Sequence, residues 1–419
     1  MPTGLRPDVD VAILGAGAAG IAAARICRAA GLSLVVIEAR ERIGGRAVTV
    51  PLRGHPVDLG AHWLHNGAIN PVVALAEAAG APLRRAAQER HLLRRGRPAE
   101  PRARREAGAA YARMSAALAR AAQAGEPAIA DVLPFLGPWR VPVTTVQGLL
   151  GGRPPAELGP ADLPPMAYGD NFFLAGGIGA FVARLARGLP VRLGTPALRL
   201  DWSGPGLRVD TAAGTVTARA AVVAIPPVAI ARGGLRFAPA LPKTVADAIA
   251  GFRAGTYEHV VLHWPGAPFR GRDRLASLIG TRRRPPGLLT RIDGTAFHYF
   301  ELDHATAEGL RGRDDAARFA RAVLAEHFGP RALAGLAVPA VTDWRSDPLA
   351  CGSWAVVGPG GARLRDTLAE PVAERIWFVG EHLSATQPGT VGGAFAEGER
   401  AARALVRTLS RPSLGGAAR

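Results

Sequence analysis

Residues 10–46 read DVAILGAGAAGIAAARICRAAGLSLVVIEARERIGGR, and the reading of this stretch decides the fold. Val11, Ala12, Ile13 and Leu14 form a continuous apolar run, the pattern of a parallel strand buried on both faces. Gly15-Ala16-Gly17-Ala18-Ala19-Gly20 follows at once. In such a turn Gly15 permits the sharp reversal, Gly17 lets the backbone approach a pyrophosphate, and Gly20 lets the helix pack against the strand. The helix that opens at Ala18 and Ala19 offers free N–H groups to phosphates. Leu34 to Ile37 make a second strand that ends in Glu38, about 20 residues on, where a carboxylate can hold ribose hydroxyls. A glycine-rich packing turn is the alternative. Strand, turn, helix, strand and acid in one register argue instead for a dinucleotide site.

Glu38-Ala39-Arg40 then runs into Arg42-Ile43-Gly44-Gly45-Arg46. Two adjacent glycines flanked by arginines supply close backbone approach and guanidinium partners for phosphate. NAD enzymes do not usually need this second element. It resembles the start of the flavin-containing amine oxidase family, which implies FAD as the cofactor.

The bulk numbers set the frame. A chain of 419 residues is long for one core and suits two intertwined domains. The net charge of +17 invites a nucleic-acid reading, but Lys243 is the single lysine, so fifty of the 51 basic residues are arginine. They are scattered, with short clusters only at Arg102 to Arg105 and Arg282 to Arg284, which looks like compositional bias more than a designed patch and argues against a nucleic-acid partner. Cys27 and Cys351 are far apart and suggest neither a disulfide framework nor a metal set. The opening MPTGLRPDVDVAIL has no charged segment leading into an apolar one, and no run of about 18 apolar residues occurs. A cytoplasmic protein without a membrane span is expected.

Pro56-Val57-Asp58-Leu59-Gly60-Ala61-His62-Trp63-Leu64-His65 resembles the family segment that passes the flavin ring, with the DxGA motif as Asp58, Gly60 and Ala61. The resemblance places Gly60, Ala61, His62 and Trp63 at the cofactor and His65 at the substrate cavity. Without it, His62 and His65 are an isolated HxxH pair, too few for a metal, and none is expected. Residues 71–124 carry helical spacing, and 134–165, dense in Pro and Gly, read as loop. Leu174 to Gly179, a helix, strands at Val191 to Leu193 and Ala197 to Leu200, a hairpin and Ala221 to Pro227 resemble the family's middle flavin-binding section, which puts Ala197, Leu198 and Ala224 beside the cofactor.

Gly255 to Trp264 alternates as a strand, with Tyr257, His259, Val261 and His263 on one face. In most family members a lysine on this strand holds a water near flavin N5, and by register that position is His259 here. Trp344-Arg345-Ser346-Asp347-Pro348 and Gly352-Ser353-Trp354 resemble two further family signatures, with Trp344 at the cofactor. Where one branch tethers its flavin through a cysteine this chain has Ser353, so non-covalent FAD is expected. Trp354 falls at one wall of the aromatic cage that orients the amine, the alternative being a core aromatic. Arg375 to His382 and Gly389-Thr390-Val391-Gly392-Gly393-Ala394 resemble the closing strand and helix start, giving Gly380, Glu381, Gly389, Thr390, Val391 and Ala394 as cofactor residues. Thr390 stands where other branches carry a second cage aromatic.

The expected fold is α/β: a Rossmann-type FAD-binding domain from residues 1–75, 172–240 and 345–419, interleaved with an α+β substrate-binding domain from 76–171 and 241–344. The resemblance implies an FAD-dependent amine oxidase acting on a small-molecule amine, polyamines included, with dioxygen as acceptor and His65, His259 and Trp354 at the chemistry. A histidine of near-neutral pKa suits removal of the amine's proton. Two alternatives stand beside it: a dehydrogenase or desaturase with another electron acceptor, and a flavin-binding scaffold without catalysis. The oligomeric state is left open.

Overall fold

The computed structural model describes residues 7–411 apart from 87–88, 126, 164–168 and 282. Arg282 of the arginine cluster, residues 164–165 of the expected loop and both chain ends therefore lie outside the described residues. The first sheet is built around β1 (Val9–Leu14), followed by α1 (Ala18–Ala29) and β2 (Leu34–Ile37). β1 lies between β2 and β3 (Gly214–Val223), parallel to both. Val191–Arg192 extends the sheet beyond β2. On the far side β3 is shared: its first half pairs antiparallel with Leu207–Thr211 and its second half pairs parallel with Ile376–Phe378. The hairpin arm and the buried strand read separately from sequence are thus one ten-residue strand. Pairing along β1 keeps it continuous.

Both faces are covered at the centre of this sheet, which is why Val11 to Leu14, β2 and Ala220 to Val223 are apolar at every position. Val11 and Ile13 pack with α1 and with α2 (Val391–Ser410), while Ala12 and Leu14 join Val245, Ile249 and Leu368 of the helices on the opposite face. α1 and α2 cross in unusually close contact. A Cβ added at Gly398 would lie 2.1 Å from the Ala19 carbonyl oxygen, so only glycine lets the two helices meet there.

The second sheet runs Ala337–Val341, Tyr257–His263, Phe297–Asp303, Gly287–Thr290, Arg274–Ile279, Arg90–Arg94 and Arg97–Pro98. One face carries Val260, Leu262 and Phe300 against Val323 and Leu324 of the helix Gly312–Phe328. The other carries Tyr257, His259, Val261 and Tyr299, the alternation expected of this strand, toward Val57, His62 and Trp63.

Two segments differ from the sequence reading. Within 71–124, helices Pro71–Ala78 and Pro101–Gln123 flank the strands Leu83–Arg85, Arg90–Arg94 and Arg97–Pro98. Arg90–Arg94 takes its strand form from Arg274–Ile279, nearly two hundred residues away in sequence, a partner that local spacing cannot reveal. The expected loop contains a 12-residue helix, Arg140–Gly151. Pro142 sits in its first turn, where a missing N–H costs little, and Gly152 at φ +74° ends it.

These close approaches make an opposed pair of predictions. Gly398→Leu should destabilise the protein by about 1–3 kcal/mol through overpacking of the α1/α2 crossing. Gly108→Ala, in a helix with nothing within 4 Å of the new Cβ, should stabilise it by about 0.5–1 kcal/mol. Denaturant melts of the two variants check both signs.

Candidate active site and cofactor cavity

Gly15, at φ +107°, turns the chain out of β1 beneath the end of β3, where an added Cβ would touch the Ala224 carbonyl oxygen at 3.0 Å. At Gly20 a Cβ would lie 1.9 Å from the Gly15 carbonyl oxygen, so the helix can begin this close to the turn only on glycine. Gly17 is different: nothing lies within 4 Å of a Cβ placed there, and the residue faces a cavity. Against it sits the second glycine turn, with Gly44 N donating to Ala16 O at 2.9 Å, and a Cβ added at Gly45 would lie 3.4 Å from the Gly17 Cα. Two turns made of bare backbone therefore frame one open space.

That space is a cavity of about 520 Å³ reaching from the glycine turns to the second sheet. Glu38 is buried at its edge, and its carboxylate accepts from Ala16 N at 2.7 Å and Arg40 N at 2.9 Å. Arg40 pairs with Asp347 at 2.7 Å, joining the Glu38 loop to the W-x-x-D-P segment. Arg46 pairs with Glu381 at 3.0 Å, and Glu381 also accepts from Ala355 N and Gly389 N, tying three cavity-lining loops to one carboxylate. Trp344 covers Gly60 and donates to Leu59 O at 3.0 Å. Thr390 caps α2, accepting from Gly393 N at 2.9 Å, and Val391 and Ala394 open that helix toward the cavity.

Of the sequence-derived cofactor residues, Gly15, Gly17, Ala18, Ala19, Ala39, Gly44, Ala61, His62, Trp63, Ala197, Ala224, Gly380 and those already placed all line this cavity, with two exceptions. Gly20 is covered beneath Gly15 and acts by packing. Leu198 is 43% exposed on the outer face, because in a strand the neighbour of an inward Ala197 points the other way.

At the opposite end the second sheet supplies His259 and Tyr257. Trp354 stands beside Tyr257, ring centroids 5.9 Å apart, in a slot whose walls are Gly152, Gly255 and Gly389. Its indole N–H donates to Gly151 O at 3.3 Å. Tyr257 donates to Glu301, which Arg90 faces at 3.6 Å. Tyr257, Glu301, Arg90 and Asn171 are cavity residues that the motif reading missed. Only Tyr257 left a trace, as a neighbour of His259 on the alternating face.

The histidines correct one expectation. His62, His259 and Tyr299 form a ring cluster, with centroids 4.7 Å apart for His62–Tyr299 and 4.5 Å for His259–Tyr299. His259 is 1% exposed, and burial, reinforced by His62 beside it and only partly offset by the Asp58 backbone, drives its pKa well below the usual value. Burial brings His62 and His65 down to about 4. His65 stacks on Trp63 and meets Asn171 Oδ1 at 3.3 Å. That oxygen also accepts from Asn66 N, so His65 Nδ1 is the donor and its Nε2 carries the lone pair. These imidazoles are neutral at pH 7, not near-neutral bases, because burial withholds the water a charged ring needs.

Among the described residues no group of three or more His, Cys, Asp or Glu is placed to hold a metal, and no helix is long and apolar enough to cross a membrane. The family described as "Flavin containing amine oxidoreductase" matches residues 18–145 and 163–406. "Lysine-specific histone demethylase 1 homolog 1" of Oryza sativa subsp. japonica is 28% identical over 467 residues, covering 97% of this chain and 53% of that protein. "Polyamine oxidase 2" of Arabidopsis thaliana is 26% identical over 446 residues, covering 96% of this chain and 89% of that protein. The chain thus spans about half the length of the demethylase relatives. Wild-type putrescine oxidase bound to putrescine shares the fold, with a TM-score of 0.78 at 20% identity over 96% of this chain and 99% of that one.

A Cβ added at Gly17 would enter the cavity with no protein atom within 4 Å. Gly17→Val should therefore fold normally, by its melting curve, yet purify without the yellow of bound flavin; a yellow variant would refute the placement. The buried histidines also predict acid lability. Their folded pKa values, about 4 for His62, His65 and His298 and about 3 for His382, lie below 6.5, so the stability they contribute is complete above pH 6.5 and lost as pH falls through 4. Asp58, raised to about 6, and Glu258, raised to about 7, oppose this from the other side, losing stability as pH rises through those values. The melting temperature should drop steeply between pH 6 and 4, and an unchanged melt down to pH 4 would show that these rings are solvated.

Proposed function

The chain belongs to the flavin containing amine oxidoreductase family, and from that premise we propose that it oxidises the C–N bond of a small-molecule amine, with FAD held non-covalently and dioxygen as acceptor. The observation that carries this is one continuous cavity with a bare-backbone cradle at one end and the Trp354–Tyr257 pair at the other. FAD bound there would supply the acceptor for the hydride that leaves the amine carbon, giving an imine that water hydrolyses, with dioxygen taking the two electrons and two protons to become hydrogen peroxide.

The cavity fits that cofactor. Gly17 and Gly45 leave room for a diphosphate, the start of α1 points free amides at it, and Arg46 stands by with a guanidinium. Ser353 lines the cavity with its hydroxyl engaged to the Tyr257 backbone, while Cys351 is buried with its thiol donating to Pro348 O at 3.2 Å. A cysteine held this way is not offered to the cofactor, which supports non-covalent binding.

Amine oxidation needs the neutral amine. Histidines of pKa about 4 are weak bases for an ammonium, so the residues here favour the neutral form by desolvation. Trp354 and Tyr257 replace water around the nitrogen with ring faces, and Tyr257 is held by Glu301 so that its ring stays in place.

A second reading keeps the amine and changes the electron acceptor. His259 occupies the register of the family's lysine but is uncharged, so the positive charge that favours electron transfer to dioxygen is missing from it. Peroxide release measured beside reduction of a quinone dye, over a panel of amines, separates the two. Rapid peroxide supports the oxidase, dye reduction without peroxide the dehydrogenase, and neither with any amine sinks both.

Trp354→Ala should lower kcat/KM for amines about tenfold or more, from loss of a contact worth on the order of 1–2 kcal/mol, with Trp354→Phe between it and wild type. FAD content should be unchanged in both. If Trp354→Phe keeps full activity while Trp354→Ala unfolds, the indole is a packing residue only.

A further inference from the structure

A second cavity, of about 760 Å³, adjoins the first, and Arg90 and Val146 line both. Its walls come from the strand Arg90–Arg94, the helix Pro101–Gln123, the strand Arg274–Ile279 and the segment 268–270. Between polar residues the lining is apolar, through Leu92, Ala107, Phe269 and Ala276. Arg104, Arg270 and Arg274 also line it, and none of the three has a carboxylate within ion-pair distance among the described residues. The one carboxylate in the lining, Glu89, is 73% exposed and faces His91 at 3.8 Å. This chamber is electropositive with an apolar wall.

The first cavity is the reverse case, because every carboxylate lining it is already engaged. Glu38 accepts two backbone amides, and Glu381 holds Arg46 and two more. Asp162 holds Arg365 and the amides of Val357 and Gly358. Glu301 holds Tyr257 and faces Arg90. A diamine or polyamine reaching past Trp354 and Tyr257 finds no unpaired anion for its second charge, and beyond Arg90 it meets three uncompensated guanidiniums. The chain's net charge of +17 repels such a substrate at longer range as well.

We infer that the second cavity receives an anionic group, a carboxylate or phosphate, at the far end of the amine whose nitrogen is oxidised beside Trp354. The inference rests on the amine-oxidation reading above and names its substrate class. Arginine suits this task through its forked donors, and the apolar wall between suits an alkyl or aryl spacer. Arg90 and Val146 line both chambers and stand where the two adjoin, so a substrate reaching from one to the other runs beside the Arg90 guanidinium.

The test compares four substrates of one chain length on the FAD-loaded protein: an unbranched alkylamine, its ω-amino carboxylate, its ω-amino phosphate and the corresponding diamine. The carboxylate or the phosphate should exceed the alkylamine in kcat/KM by roughly tenfold, the diamine should fall below it, and added salt should shrink the differences. Which anion leads identifies the headgroup. In a protein carrying Arg270→Glu and Arg274→Glu, both exposed residues, the ratio of anionic to neutral substrate should collapse to about one. A diamine preference, or an unchanged ratio in the double variant, overturns the inference while leaving amine oxidation standing. If none of the four is oxidised, the functional reading fails first, and binding decides the rest. An unbranched fatty carboxylate should raise the melting temperature of the wild type more than the matching amine does and lose that advantage in the double variant; equal shifts overturn the anion site by themselves.

Discussion

The carbonyl oxygen of Gly15 lies where any side chain at position 20 would have to begin, 1.9 Å from the Cβ that glycine lacks. The remainder of the site follows from this one contact. Because the backbone can fold back on itself so tightly, α1 starts directly under the end of β1 and its first amides face outward. Because Gly44 and Gly45 are equally bare, the second turn can close on the first with no side chain between them, through the Gly17–Gly44 bridge. Gly398 repeats the device one layer out, bringing α2 onto α1 and its own start, capped by Thr390, into the same cavity. Three glycine contacts thus converge the starts of two helices on one space large enough for a diphosphate.

The other end of the cavity is organised by neutralisation. Paired carboxylates, buried histidines held uncharged and an aromatic wall leave little net charge to greet an ammonium. The physical consequence is that position and desolvation, more than acid–base exchange with a side chain, prepare the amine. Placing an imidazole among rings at His259 holds its pKa well below the ordinary value, whereas a lysine in that register can carry charge to its neighbours. Electrostatic discrimination moves outward, to the neighbouring chamber, where Arg104, Arg270 and Arg274 have no carboxylate at ion-pair distance among the described residues.

The parts of this protein legible in its sequence are those whose function is a property of backbone. Gly15, Gly17 and Gly20 could be assigned separate tasks before any coordinates, since each task is defined by the absence of a Cβ at a fixed spacing. Glu38 and the paired glycines Gly44 and Gly45 were readable for the same reason, and the family motifs carried Glu381 and Trp354 to the cavity. Leu198 turns its side chain away from the cavity that Ala197 lines, because a motif spans both faces of a strand while a cavity meets only one.

What sequence alone determined was therefore the cofactor cradle and the α/β class, both written in contiguous residues whose spacing has local physical meaning. What only the tertiary structure decided was everything that depends on a distant partner. Arg90 to Arg94 became a strand, and not the helix its neighbours suggest, because Arg274 to Ile279 pairs with it. Glu301 ceased to be an available anion because Arg90 and Tyr257 meet it there. His259 lost its expected titration because Tyr299 and His62 pack against it. Pairing, charge compensation and desolvation are sums over neighbours in space, and a chain read in order does not contain that sum.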